Sequence, residues 1–131
     1  MTPVWTTACP DWEQRIVEGQ SLVPCGPLYP QQAAADMEVF NAFRVVDVAG
    51  APTVGEIARP WISEFASAFF GSYNPEDGKR SIRTFFLKVP KKNWKSGIAS
   101  FLMGTLLIRN WRESGEFGII APTTEVANNA F

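Results

Sequence analysis

Lysines and a serine gathered in one short stretch offer the clearest chemistry in this chain. Residues Lys88 to Ser100 read KVPKKNWKSGIAS. The run SIRTFFLKV before it is rich in aromatic and apolar residues and predicts a strand over Ile82 to Val89. After it, Ile98, Phe101, Leu102, Thr105 and Leu106 recur at helical spacing, which predicts a buried helix from Lys95 to Trp111. Pro90 to Lys95 then occupies a strand-to-helix turn. Such a turn suits an anion, because the first N–H groups of a helix lack intrahelical acceptors and its dipole points the same way. Lys95 at the helix start can reach terminal phosphates, and the Ser96 hydroxyl can hold Mg²⁺. The pattern G-x-x-x-x-G-K-[ST] is met only at its end, since Val89 and Trp94 stand at the glycine positions. Glycine serves these loops through positive φ and close backbone approach. Trp94 gives neither without cost, and Pro90 brings no N–H. The plainer reading of the same residues is a solvated basic turn.

The stretch PKKNWKS resembles the deviant Walker A loop of phage terminase large subunits, the DNA-packaging motor proteins. Their loop typically reads Pro/Ala-Arg/Lys-Lys-Asn-Gly-Lys-Ser. The likeness continues in RPWISEFASAFFG upstream and IRTFFLKVPKKNWKS at the loop. Downstream it is carried by LLIRNWRESGEFGIIAPTTEVANNAF, where terminases place a strand ending in Ala-Pro-Thr and a helix with Glu-x-Ala. It covers Pro24 to Phe131 and departs from the family at Trp94.

That resemblance implies an α/β fold: a βαβ unit opening a P-loop NTPase domain, behind a helical and irregular N-terminal segment. It implies ATP and Mg²⁺ as cofactors. Pro90, Lys91, Lys92, Asn93, Trp94, Lys95 and Ser96 would surround the phosphates, with Ser96 as metal ligand. Lys91 takes the catalytic position of a charge stabiliser acting in cis, and Trp61 the aromatic position beside adenine. Ile62 follows Trp61 where the family has glutamine, and isoleucine has no amide to pair with a base. On its own helix Trp61 also reads as a core anchor. The implied partners are viral DNA, the portal protein and the terminase small subunit. The full-length protein would be a homo-oligomer in the host cytoplasm, away from membranes. Two rival readings are a non-catalytic interaction module and a decayed prophage remnant.

Composition narrows the field independently. The chain has 131 residues, 46% of them hydrophobic and 13% aromatic, enough for a core. A formal net charge of −1 argues against a generally basic nucleic-acid binder. The positive charge is nevertheless concentrated in Lys79, Arg80, Arg83, Lys88, Lys91, Lys92 and Lys95. Such a run is either a solvated face or a site for phosphates. There is no histidine, so histidine catalysis within this chain is excluded. Cys9 and Cys25 lack metal spacing, and no segment reads as a signal peptide or a membrane span, which together predict a reduced, intracellular protein.

The remaining elements follow from caps and breakers. Asp11 to Glu18 predicts a short helix ended by Gly19. Ser21 to Pro30 reads as a linker or wrapped loop, because Pro24, Gly26, Pro27 and Pro30 crowd it. Gln31 to Phe43 predicts a helix with Ala35, Val39, Phe40 and Phe43 inward, and Asp36 and Asn41 toward water. Thr53 and Glu56 form a capping-box pattern. Pro60 starts a helix whose inner face reads Trp61, Phe65, Ala68 and Phe69, with Gly71 at its end. Asn74 to Gly78 is a turn. Phe117 to Ala121 predicts a second strand, parallel to the first across a right-handed crossover, and Thr123 or Thr124 a helix cap. The expected division is 1–58 for the N-terminal segment and 59–131 for the start of an ATPase domain that stops before a Walker B acid. Glu113, Glu116 and Glu125 only flank the second strand and read as surface charges.

Overall fold

Proline or glycine sets several of the helix ends. The computed structural model describes residues 3–111, 115–118, 120, 123, 125 and 128. Helix α1 (Trp12–Glu18) follows Asp11 and stops at Gly19, whose φ of 67° favours glycine. Within it Arg15 Nε donates to Asp11 Oδ2 at 2.9 Å, and this bond holds the Asp11 carboxyl below its ordinary pKa. Helices α2 (Pro30–Ala42) and α4 (Pro60–Phe70) both open with proline, whose fixed φ and missing N–H suit a first turn. Between them, α3 (Val54–Ile57) is a single turn held by the expected capping box. Glu56 Oε2 accepts from the Thr53 N–H at 2.6 Å and from the Thr53 hydroxyl at 3.0 Å.

Strands β1 (Tyr73–Asn74) and β2 (Lys79–Arg80) form an antiparallel hairpin, with Tyr73 opposite Arg80 and Asn74 opposite Lys79. The turn between them is the expected one: Asn74 Oδ1 accepts the Glu76 N–H at 3.0 Å, and Gly78 has φ of 69°. Helix α5 (Lys95–Arg109) comes next.

Contacts divide the chain into two units, Met1–Phe85 and Phe86–Phe131. Helix α4 packs against α2 within the first of these units. The core of the first unit is built from α2, α3 and α4. Phe40 and Phe70, both fully buried, meet edge to face at 5.8 Å, and Val54, Ile62 and Ala66 are buried in the same three helices. Gly71 lets Pro27 lie against the end of α4: a Cβ there would come within 2.3 Å of the Pro27 Cβ.

Two helix faces differ from the expectation. On α4 the buried residues are Ile62, Ala66, Phe70 and, as expected, Ala68, while Trp61, Phe65 and Phe69 are half-buried beside them. Phe65 and Phe69 serve a second contact, each meeting Phe85 edge to face at 6.0 and 5.1 Å. On α2 the buried positions are Ala33, Asp36 and Phe40. Asp36 lies inside at 3% exposure rather than facing water, and Gln32 Nε2 donates to its carboxylate at 2.9 Å. A buried carboxylate is tolerated when hydrogen-bonded. Asn41, also expected in water, has its Oδ1 buried and packs its Cβ beside Gly55.

The predicted strand Ile82 to Val89 carries no ladder hydrogen bonds among the described residues, whose only sheet is the β1–β2 hairpin. A strand is defined by its partner's backbone, and the partner expected here falls on Phe117 to Ala121. Of that segment, Phe117, Gly118 and Ile120 are described and are not in a strand, while positions 119 and 121, like most of the last helix, lie outside the described residues. Strand-like alternation is still present: exposed and half-buried positions alternate from Thr84 to Pro90.

Candidate phosphate-binding loop

The Pro90–Ser96 turn reverses direction through two left-handed residues. Lys92 has φ of 64° and Trp94 φ of 58°, while Asn93 between them does not have positive φ. Alternation of hand along a short segment is the backbone pattern from which anion-binding nests are built. Asn93 holds the turn from within, its Nδ2 donating to the Pro90 carbonyl at 3.1 Å and to the Lys91 carbonyl at 3.3 Å. Trp94 then caps α5, its carbonyl accepting the Ile98 N–H at 3.0 Å. It contributes no side-chain cap, so the amides of the first turn are left without the oxygen that a serine or aspartate would place there.

Trp94 answers the question its position raises. A left-handed conformation costs a non-glycine residue roughly 1–2 kcal/mol. The indole offsets this by lying on the first turn of α5, where a Cβ built on Gly97 would fall 2.2 Å from Nε1. It also meets the Phe101 ring at 5.3 Å between centroids, tilted by 50°. An aromatic pair contributes about 0.5–1.5 kcal/mol beyond area burial, which is of the same order as the strain. The tryptophan therefore stacks on its own helix. Deeper in α5, Ile98, Leu102 and Thr105 are buried, as their spacing predicts, while Phe101 and Leu106 of the same expected face are half-buried.

The charges of the turn are exposed. Lys88, Lys91, Lys92 and Lys95 all face solvent, and no hydrogen bond or ion pair holds their ammonium groups among the described residues. Ser96 is exposed in the first helical turn, and its carbonyl accepts from Ser100 Oγ at 2.8 Å. Arg80, part of the same basic run in sequence, is spent elsewhere. Its Nη2 donates to Ser72 Oγ at 2.8 Å and to the Phe69 carbonyl, and its guanidinium sits 4.4 Å from the centre of the Phe69 ring. Burial pushes its pKa down, and the Asp36 carboxylate opposes that shift. Arg80 is thus a structural cation and leaves the candidate set.

The structure brings Pro90, Lys91, Lys92, Asn93, Trp94, Lys95 and Ser96 together in one turn. Trp61 belongs to α4 in the first unit, half-buried beside the Ile62 stripe. Gly97 is the residue that sequence reading passed over. Its signal is a glycine inside the first turn of a helix, where alanine is favoured by about 1 kcal/mol and a close approach is the usual reason for glycine. Among the described residues no helix is long and apolar enough to cross a membrane, and no cluster of three or more Cys, Asp or Glu side chains is placed to hold a metal. Compared with protein-family models, curated proteins and solved structures, the chain shows no match.

Proposed function

We propose that Pro90–Ser96 is the Walker A loop of an ATP-driven motor of the phage terminase large-subunit kind, which moves viral DNA into a prohead. The observation that carries this reading is the start of α5. An uncapped helix opens at Lys95-Ser96 directly after a turn with positive φ at Lys92 and Trp94, and the lysines around it are exposed. The donor set fits polyphosphate: amides at a helix N-terminus, and ammonium groups whose donors are not used among the described residues. In this reading Lys95 and the first amides of α5 hold the terminal phosphates. Ser96 supplies one hydroxyl to Mg²⁺, and Lys91 stabilises charge that grows on the transferring group. Bound Mg·ATP supplies the phosphoryl group to be transferred.

The base end fits less well. Trp61 offers an aromatic face, but its neighbour Ile62 is a buried core residue with no hydrogen-bonding group. The reading therefore assigns phosphate recognition to this chain and leaves adenine selectivity without a residue. Viral DNA, the portal protein, the terminase small subunit and further copies of the motor subunit are the partners it entails, in the host cytoplasm.

Titrating Mg·ATP against the chain and its Lys95→Ala variant tests the proposal. Saturable binding is expected for the parent chain, with a loss of at least about tenfold in the variant, one decade being the scale of a single lost charge-assisted contact. The thermal midpoint should not move, because Lys95 is exposed. Equal affinity of the two chains would sink the reading.

A further inference from the structure

Trp94 and Gly97 each break a local rule, and each explains the other. Trp94 takes a left-handed conformation that suits glycine. Gly97 sits in a helical turn where alanine would be preferred. A methyl group on Gly97 would lie 2.2 Å from Trp94 Nε1, 2.4 Å from Cε2 and 2.7 Å from Cδ1. These three atoms belong to a rigid fused ring, so the ring cannot bend aside. It can only swing out as a whole and give up its contact with Phe101. The residue that sets the hand of the turn is therefore pinned by a side-chain contact that only glycine at position 97 permits.

We propose that Trp94 and Gly97 form a clasp that holds the Pro90–Ser96 turn in its left-handed shape before any ligand arrives, which makes Trp94 the positioning residue of the loop. Loops rich in glycine gain closeness to phosphate at the cost of conformational freedom that binding must remove. A clasped loop loses that freedom during folding, so its amides are set in advance. The positioning role rests on the phosphate-loop reading above, whereas the clasp itself can be tested without any nucleotide.

Trypsin cleaves after lysine, so the rate of cutting after Lys91 and Lys92 in ligand-free protein reports how often the turn opens. The comparison is between the parent chain, Gly97→Ala, Trp94→Gly and the double variant, with helix content followed by circular dichroism. Gly97→Ala is expected to speed cleavage by about tenfold, one decade in the opening equilibrium, while helix content holds because alanine is the better helix former. Trp94→Gly should speed it similarly, and adding Gly97→Ala to Trp94→Gly should do nothing more. Parent-like cleavage in Gly97→Ala, or the same acceleration with and without Trp94, overturns the clasp. Mg·ATP titration separates the functional half. Weaker binding by Gly97→Ala supports positioning, and parent-like affinity with faster cleavage overturns it. If the four cleavage rates follow the expected pattern but the parent chain does not bind, the clasp stands and the phosphate-loop reading falls.

Discussion

Among the turns of this molecule with left-handed backbone, two support it by different means. In the β1–β2 hairpin the position is filled by Gly78, and the strands on either side are fastened to the core. The Ser81 N–H donates to the Ser72 carbonyl at 2.7 Å, and Arg80 anchors to Phe69 and Ser72 at the end of α4. In the Pro90–Ser96 turn the positions are filled by Lys92 and Trp94, and the support seen is Asn93 bonding back to the turn and the indole lying on Gly97. The cations differ in the same way. Arg80 has donors committed to protein oxygens, while Lys91, Lys92 and Lys95 stand in solvent. A cation whose hydrogen bonds are already used stabilises the fold, and an uncommitted one is available to a ligand.

The largest test of this contrast removes the hairpin's foundation. Phe70 is fully buried at the end of α4 and faces Phe40. Phe70→Ala is expected to cost about 3–5 kcal/mol in chemical denaturation, the range for truncating a buried aromatic. A loss below about 0.5 kcal/mol, the level of ordinary surface changes, would mean that the core does not support the hairpin in this way.

A smaller effect is expected at the turn itself. Gly78→Ala forces a Cβ into φ of 69°, and the expected loss is about 1–2 kcal/mol in the same measurement. Unlike Trp94, an alanine has no ring with which to offset the strain. If Gly78→Ala were neutral, the cost assigned to left-handed backbone would be too high, and the need for a clasp at Trp94 would weaken with it.

The smallest effect concerns α3, where backbone and side chain share one short box. The Thr53 N–H, then the Thr53 hydroxyl, and more weakly Arg44 hold the Glu56 carboxyl below its ordinary pKa. A carboxyl whose pKa is depressed by folding stabilises the fold above the unfolded value and loses that contribution as pH falls through the folded value. Stability should therefore be level above the ordinary glutamate value of 4.5 and decline below it. Part of that decline should disappear in Glu56→Gln. An identical acid limb in both chains, followed by thermal unfolding, would remove the capping box from the list of acid-sensitive contacts.

Local chemistry was legible in the sequence. Gly19, Pro60 and Gly71 marked helix ends, the Thr53–Glu56 pair marked a box, and Asn74 to Gly78 marked a turn, because each acts through backbone geometry within a few residues. The position of the Lys95-Ser96 pair at a helix start was legible for the same reason. What could not be read was which polar groups fold inward. Asp36 looked like a surface residue, yet it is buried with Gln32 donating to its carboxylate. Arg80 looked like one member of a basic run until Phe69 and Ser72 claimed its donors.

The sequence by itself determined where helices start and stop and where a basic, helix-opening turn lies, since these are set by φ preferences, missing N–H groups and short-range capping. Only the tertiary structure decided which face of α2 and α4 turns inward. It also decided which cation of the basic run is consumed, and that Trp94 rests on Gly97. Those outcomes depend on packing partners brought from elsewhere in the chain or across a helical turn, and a side chain's partners are chosen by shape and distance, which residue order alone does not carry.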